Sequence, residues 1–406
     1  MKKLYIHAGF GKCGSSSIQT FLSRHKQFSC TNGDHLVYAA RLGNRLFFGD
    51  ELLKMADQRP QGYSESLPFS AVKTATPDEY FNAVGGQLLG LLEQSHVVLS
   101  QESWSNEVDA WAQISFFSRH NIDVTFIFYI RPPVTWINSS WWQWGAWSPA
   151  NLDAWIGQML NAVKYGERIR AFNRLPWASR VHVRLLEHDL LDDFSGLVGL
   201  EPSKYQQHQS VANKSLPNGM LRLLQTHRRL RPDPHAPAVD FIVRNHLKLD
   251  GKPDWVLDAI QIKKIIDETR DSNLLLLNFI DEDCKDKFIA DPQYWEVSAF
   301  DGMQAKPSAA IKPSYDELED IALAAIDAVI KLDTQQLKAK AHASPVFDHF
   351  LIWRDLALHV ENSDLELANR LMQQSAKLRP EAEFVQRKLA NYQTRLARLK
   401  KKPDAK

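Results

Sequence analysis

The sequence predicts an α/β protein, a three-layer parallel sheet carrying a P-loop-like turn, followed by an all-helical C-terminal appendage. Three observations lead there. Short, continuously apolar strands alternate with helical stretches, the pattern of a parallel sheet covered on both faces. A glycine-rich turn separates the first strand from the first helix. Beyond Lys306-Pro307-Ser308 and Lys312-Pro313-Ser314, which read as linker punctuation, the chain is helical throughout. At 406 residues the chain exceeds one ordinary domain, so two units are expected, 1–305 and 306–406.

The elements follow in order. Leu4–Ala8 reads as a short buried strand, which Gly9-Phe10-Gly11-Lys12-Cys13-Gly14 cannot continue. Ser15, Ser16 and Ser17 supply N-cap chemistry for a helix whose apolar face includes Ile18, Phe21 and Leu22. Residues 30–75 show turn signals and no sustained period, and are read as a loop-rich insertion with short helices. Thr76-Pro77-Asp78-Glu79 starts a helix reaching about Gln94, with a Thr cap and Pro at the first helical position. Strands are expected at His96–Ser100, Asp123–Ile130 and, more weakly, Val181–Leu185. Residues 216–280 read as mostly helical, and further helices are expected at about 315–340, 346–361, 364–378 and 381–401. The segment Leu356–Pro380 resembles one degenerate tetratricopeptide unit, which cannot bury its own face alone.

Composition removes several classes. Lys and Arg total 49 against 48 Asp and Glu, a formal charge of +1, which argues against a globally basic nucleic-acid binder. With 44% hydrophobic and 24% charged residues the chain is globular rather than disordered. Its longest apolar runs, such as Phe126–Ile130, are too short to span a bilayer, and the N-terminal run stops at His7 and Gly9, unlike a signal peptide. Cys13, Cys30 and Cys284 form neither a disulfide framework nor a zinc-ligand spacing, so a cytoplasmic location is the expectation.

A loop between a strand and a helix N-terminus points backbone N–H groups at one place, where the helix dipole also favours an anion. Glycines at 9, 11 and 14 let that backbone approach a ligand, and Lys12 adds a full positive charge. A second element lies downstream. Arg131 leaves the strand Phe126–Ile130 at the carboxyl edge of the sheet, where open α/β sheets bind ligands. Ser139 follows eight residues later, about 80° off a shared helical face. A guanidinium and a hydroxyl so placed can grip one phosphate from two sides.

Together these motifs resemble the sulfotransferase family that uses 3′-phosphoadenosine-5′-phosphosulfate, nearest to its bacterial and carbohydrate-type members, over about residues 3–285. The likeness runs from Ile6 to Gln19 for the family's 5′-phosphosulfate loop, and through Arg131, Pro133 and Ser139 for its 3′-phosphate motif. Weaker echoes are Val98–Glu102, Glu187, Asn213-Lys214-Ser215 and Asp271-Ser272-Asn273. Two positions depart from the family. Cys13 stands where Thr is usual, removing a hydroxyl that could bond the phosphosulfate, and Pro132 replaces Asp after the arginine.

The resemblance implies sulfuryl transfer to a hydroxyl or amino group, most readily on a carbohydrate or glycoconjugate, with no metal required. Gly11, Lys12, Cys13, Gly14, Ser15, Ser16, Ser17, Arg131 and Ser139 would then hold the donor. Glu102 is the first candidate for the base that takes the acceptor's proton; the alternative is a helix cap or an arginine partner. His7 would orient the loop through a hydrogen bond or touch the sulfuryl group. Two rivals stand beside this reading. A P-loop small-molecule kinase would need a Ser or Thr directly after a Gly-Lys pair and a magnesium carboxylate, and the sequence shows neither. A non-catalytic nucleotide-binding or scaffold protein would keep the fold without the chemistry.

Two features remain. Five of the twelve tryptophans fall within Trp136–Trp147. They read as core or interface packing, with stacking on a sugar acceptor as the alternative. The last helix ends in Arg395, Arg398, Lys400, Lys401 and Lys402. A solvated, dipole-complementing end is the favoured reading, and peripheral contact with an anionic membrane is the other. The sequence also allows a homo-oligomer.

Overall fold

The computed structural model describes residues 2–72, 76–201, 205, 215–234, 237–247, 249, 251–343 and 349–400. The chain divides into two compact units, Met1–Ala325 and Ile326–Lys406.

The first unit is mixed α/β, built on a mostly parallel sheet of β1 (Lys3–Ala8), β2 (Phe28–Ser29), β3 (His35–Leu42), β4 (Arg45–Phe48), β5 (His96–Gln101), β6 (Asp123–Ile130) and β7 (Ala178–Leu185). Their order is β2-β3-β5-β1-β6-β7, with β4 paired to β3. From β3 to β7 all neighbours are parallel, whereas β2 and β4 pair antiparallel with β3. β1 lies in the middle, Ile6 facing Leu99 of β5 on one side and Phe126 of β6 on the other. β5 is buried along its whole length and β6 at every position after Asp123, which is why both read as uninterrupted apolar runs.

Residues 30–75 are a correction. They are not an insertion of loops and short helices, because His35–Leu42 is a full strand of the sheet and Arg45–Phe48 hairpins onto it. Ala39-Ala40 and the charged Arg41 hide the strand signal, since alanine and arginine are not β-formers. Arg41 is nonetheless wholly buried, its guanidinium stacked 3.7 Å from the centre of the Tyr80 ring. The stretch that starts at Thr76 is two helices, Pro77–Asn82 and Gly85–Gln94. Thr76 does cap the first by accepting from the Glu79 amide at 3.4 Å.

Residues 306–317 belong to the first unit and are bonded within it. Arg222 donates to the carbonyls of Pro307 and Ala309 at 2.7 and 3.0 Å, Gln225 to that of Ser308 at 2.9 Å, and Asn218 to Glu317 at 3.0 Å. The Lys-Pro-Ser punctuation is thus a strap, and the division falls at 325/326, inside the helix Tyr315–Ala343.

In the second unit, helices His349–Val360, Leu365–Leu378 and Glu383–Lys400 share a small core of Phe350, Ala357, Ala368, Met372, Val385 and Tyr392. Glu361 ties the turn to the last helix by accepting from Lys388 at 2.8 Å and from the Tyr392 hydroxyl. Arg395 and Arg398 are exposed, while Lys401 and Lys402 lie outside the described residues.

Candidate active site

Three adjacent parallel strands deliver the site. The glycine loop follows β1, Glu102 follows β5, and Arg131 follows β6, so all three leave the carboxyl edge side by side. The chain reverses its direction of travel across the sheet at this point, where a crevice opens between the outgoing loops.

The loop's shape depends on two left-handed residues, Lys12 (φ 63°) and Gly14 (φ 90°). Gly14, not a serine, is the N-cap of the helix Ser15–Leu22, and no side chain caps that end. The three serines occupy the first turn instead, where helical N–H groups lack intrahelical acceptors. Gly11 is required by close approach: a Cβ there would stand 2.9 Å from Glu102 Oε1 and 3.0 Å from Trp144 Cη2. Trp136 Nε1 donates to the Gly11 carbonyl, and Arg131 Nη1 to the Lys12 carbonyl at 3.3 Å.

These pieces border one cavity of about 280 Å³, whose lining includes Lys12, Gly14, Ser15, Ser16, Ser17, Glu102, Arg131 and Ser139. Lys12 Nζ donates to Gln143 Oε1 at 2.7 Å. Burial, opposed by Glu102 and reinforced by Arg131 and Arg244, brings the Lys12 ammonium down to about 8. Burial pushes the Glu102 carboxyl up, and Lys12 beside it pulls it partly back. Ser16 Oγ pairs with the Tyr63 hydroxyl at 3.2 Å, and Ser15 Oγ is buried without a partner.

Two of the sequence candidates turn away from the cavity. Cys13 is wholly buried, its thiol set against Tyr165 and pushed up to about 12 by burial. His7 is also wholly buried; burial drives its imidazole down to about 3, and Nδ1 pairs with Ser100 Oγ at 2.8 Å. It stands behind the loop and does not line the cavity. Among the weaker echoes, Glu187 is an ion-pair partner of Lys287, and Ser272 and Asn273 are buried structural groups bonded to Glu167 and the Tyr294 carbonyl. Asn213 and Lys214 lie outside the described residues, while Ser215 lines the cavity.

The tryptophans divide between core and support. Trp136, Trp141, Trp142 and Trp147 are buried, and Trp144 is partly so. Among the five, Trp142 alone lines the cavity; its Nε1 donates to the Asp254 carbonyl at 2.7 Å. Trp136 and Trp144 instead brace Gly11 from the side.

Sequence reasoning missed the opposite wall. Tyr63, Asp240, Phe241 and Arg244 line it, the last three from the helix Ala238–Leu247. Asp240 pairs at 2.6 Å with Arg231, which is wholly buried and stacks 4.2 Å above Trp147. Neither wall segment carries a motif or a diagnostic spacing.

An ammonium, a guanidinium, a helix N-terminus and several hydroxyls around one hollow can hold an anion with two charged groups. A carboxylate beside them can accept a proton. Among the described residues no group of three or more His, Cys, Asp or Glu side chains could hold a metal ion, and no helix is long and apolar enough to cross a membrane.

No family model matches the chain, and no curated protein matches it. Among solved structures, a sulfotransferase from Alicyclobacillus acidocaldarius aligns over 70% of this chain and 99% of its own, with 11% identity and a TM-score of 0.35. That likeness is too distant to assign a fold or a function.

Proposed function

We propose that the chain is a sulfotransferase that takes its sulfuryl group from 3′-phosphoadenosine-5′-phosphosulfate and passes it to a hydroxyl or amino group of a carbohydrate or glycoconjugate. What supports the reading is one convergence. Lys12 with the first turn of the helix Ser15–Leu22, and Arg131 with Ser139, come from separate segments and border the same cavity, the Lys12 loop after the central β1 being flanked by Glu102 after β5 and Arg131 after β6. The donor set suits a ligand carrying two phosphates, and the unpartnered Ser15 Oγ is a polar atom at the helix start without a partner in the protein.

When bound, the donor supplies the sulfuryl group and a phosphate that leaves. Lys12 and the loop amides hold the negative charge that grows on the departing side. Arg131 and Ser139 fix the far phosphate, which sets the line of approach. Glu102 takes the proton of the acceptor. Trp142 and Phe241 line the cavity and offer apolar surface to the acceptor. His7 ties the end of β1 to β5 through Ser100, which also accepts from Gln19 of the helix Ser15–Leu22.

The test is equilibrium binding of adenosine 3′,5′-bisphosphate against ATP with magnesium, followed by transfer of labelled sulfate to a panel of glycans, glycolipids and small alcohols. Selective binding of the bisphosphate and labelling of at least one glycan are expected. Tight ATP binding without bisphosphate binding would sink the proposal in favour of a kinase. Bisphosphate binding with no transfer would leave a non-catalytic nucleotide-binding protein.

A further inference from the structure

One helix carries an apolar face that the chain leaves in solvent. Tyr315–Ala343 runs for 29 residues, about 43 Å. One side of it is occupied. Glu317 accepts from Asn218, Ile321 packs on the core of the first unit, and Ala328 is buried. At about 100° per residue these three fall within about 40° of one another. On the opposite side stand Ala322, Leu323, Ile326, Val329 and Ile330, all exposed, the last four by 57–65%. Scattered exposed apolar residues are ordinary, but four on one helical face within eight positions form a patch, the mark of an association surface.

The charges beside this face say what covers it. Asp320, Asp327, Lys331 and Lys338 lie along one flank, within about 40° of one another. Val329, the midpoint of the helix, divides them by sign. Asp320 and Asp327 precede it by nine and two residues, and Lys331 and Lys338 follow it by two and nine. In an antiparallel pair of helices like flanks face each other. A second copy related by a two-fold axis at Val329 therefore sets Asp327 opposite Lys331 and Asp320 opposite Lys338, each twice. Glu319 and Asp333, the acidic residues that interrupt the face itself, then come opposite Ala339 and Ala325. A parallel copy would bring this flank against the other one, where Leu318, Ala325, Leu332 and Gln336 offer no charge.

We propose that this face docks a second copy of the chain, the two helices Tyr315–Ala343 packing antiparallel about Val329 to make a two-fold dimer. Leu323, Ile326, Val329 and Ile330 supply the apolar contact, and the flank charges set direction and register. The dimer is independent of the function given to the cavity.

The experiment is sedimentation velocity of the full chain at low salt and at concentrations up to about 100 µM. Wild type is compared with Ile326→Glu/Ile330→Glu, Asp320→Lys, Lys338→Asp and the double reversal Asp320→Lys/Lys338→Asp. Wild type is expected to dimerise in this range, and the glutamate variant to stay monomeric with an unchanged circular dichroism spectrum. Asp320 and Lys338 are eighteen residues apart, about 27 Å along the helix, so they do not meet within one helix. Each single reversal places two like-charged contacts in the dimer and should weaken it about three- to tenfold, and the double reversal should restore it to within about twofold. A wild-type monomer at the highest concentration overturns the proposal, whether the face is covered by the rest of the chain or by a different protein. A dimer indifferent to Ile326→Glu/Ile330→Glu lies elsewhere on the surface and overturns it as well. A dimer that the glutamates break and the single reversals leave unchanged refutes the antiparallel arrangement.

Discussion

The two walls of the cavity are built on opposite principles. The sheet-edge wall hangs from β1, β5 and β6, whose residues are almost all buried, and its polar groups project from the first residues after each strand. The facing wall is the helix Ala238–Leu247, which has no fully buried residue. It is held by the Asp240–Arg231 ion pair, by a bond from Asn245 to the Pro60 carbonyl at 2.9 Å, and by the partly buried Val239, Val243 and Leu247, which pack on the core. The first wall inherits its geometry from apolar packing and backbone; the second adds to a thinner apolar contact a charge pair whose cation is wholly buried. Packing tolerates loss of a surface group, but a buried cation stripped of its partner is costly.

The largest effect should come from breaking that pair. Asp240→Ala takes from the buried Arg231 the carboxylate that acts on it most strongly, leaving the weaker pull of Asp233, and is expected to cost about 3 kcal/mol in urea unfolding followed by tryptophan fluorescence. The double variant Arg231→Met/Asp240→Leu should recover most of the loss; a cost of only a few tenths in the single variant would show that the facing wall does not hang on the pair. On the sheet-edge wall, Lys12→Ala should lower sulfate transfer about 10²–10³-fold with little change in unfolding. Full transfer by this variant refutes the role given to Lys12. Arg131→Ala removes charge-assisted bonds to the far phosphate and should weaken bisphosphate binding about tenfold to a hundredfold by calorimetry. Gly11→Ala drives a methyl group against Glu102 and the rigid Trp144 ring, and should cost about 1–3 kcal/mol in unfolding.

The smallest effect is a pH dependence. The Lys12 ammonium is charged below about 8, so bisphosphate affinity should hold up to that pH and fall as the pH rises through it. Lys12→Ala should flatten this limb, and an unchanged limb in that variant would assign it to another group.

The same contrast decides what could be read in the sequence. β1, β5 and β6 announce themselves because burial on both faces demands unbroken apolar runs, and the groups that leave their ends are numbered by the strands themselves. β3 escaped because its centre is Ala39-Ala40-Arg41, and the burial of Arg41 rests on Tyr80, a partner distant in sequence. Tyr63, Asp240 and Arg244 carry no local signature at all. They meet the loop only through tertiary packing, and a single carboxylate or arginine in a long chain has no spacing to betray it. Cys13 shows the reverse case: its place in the glycine loop says nothing of where its thiol points, and between the left-handed Lys12 and Gly14 its side chain is set against the core.

The loop is held from the neighbouring strand's exit. Gly11 is bonded by Trp136, Lys12 by Arg131, and the Lys12 ammonium by Gln143, three attachments that all arise at or within the segment 131–143. On the proposed reading the two anion grips are therefore the jaws of one caliper, locked to each other before any ligand arrives. A doubly anionic ligand would be selected by the distance between its charged ends, and those of the wrong length would reach one jaw and miss the other.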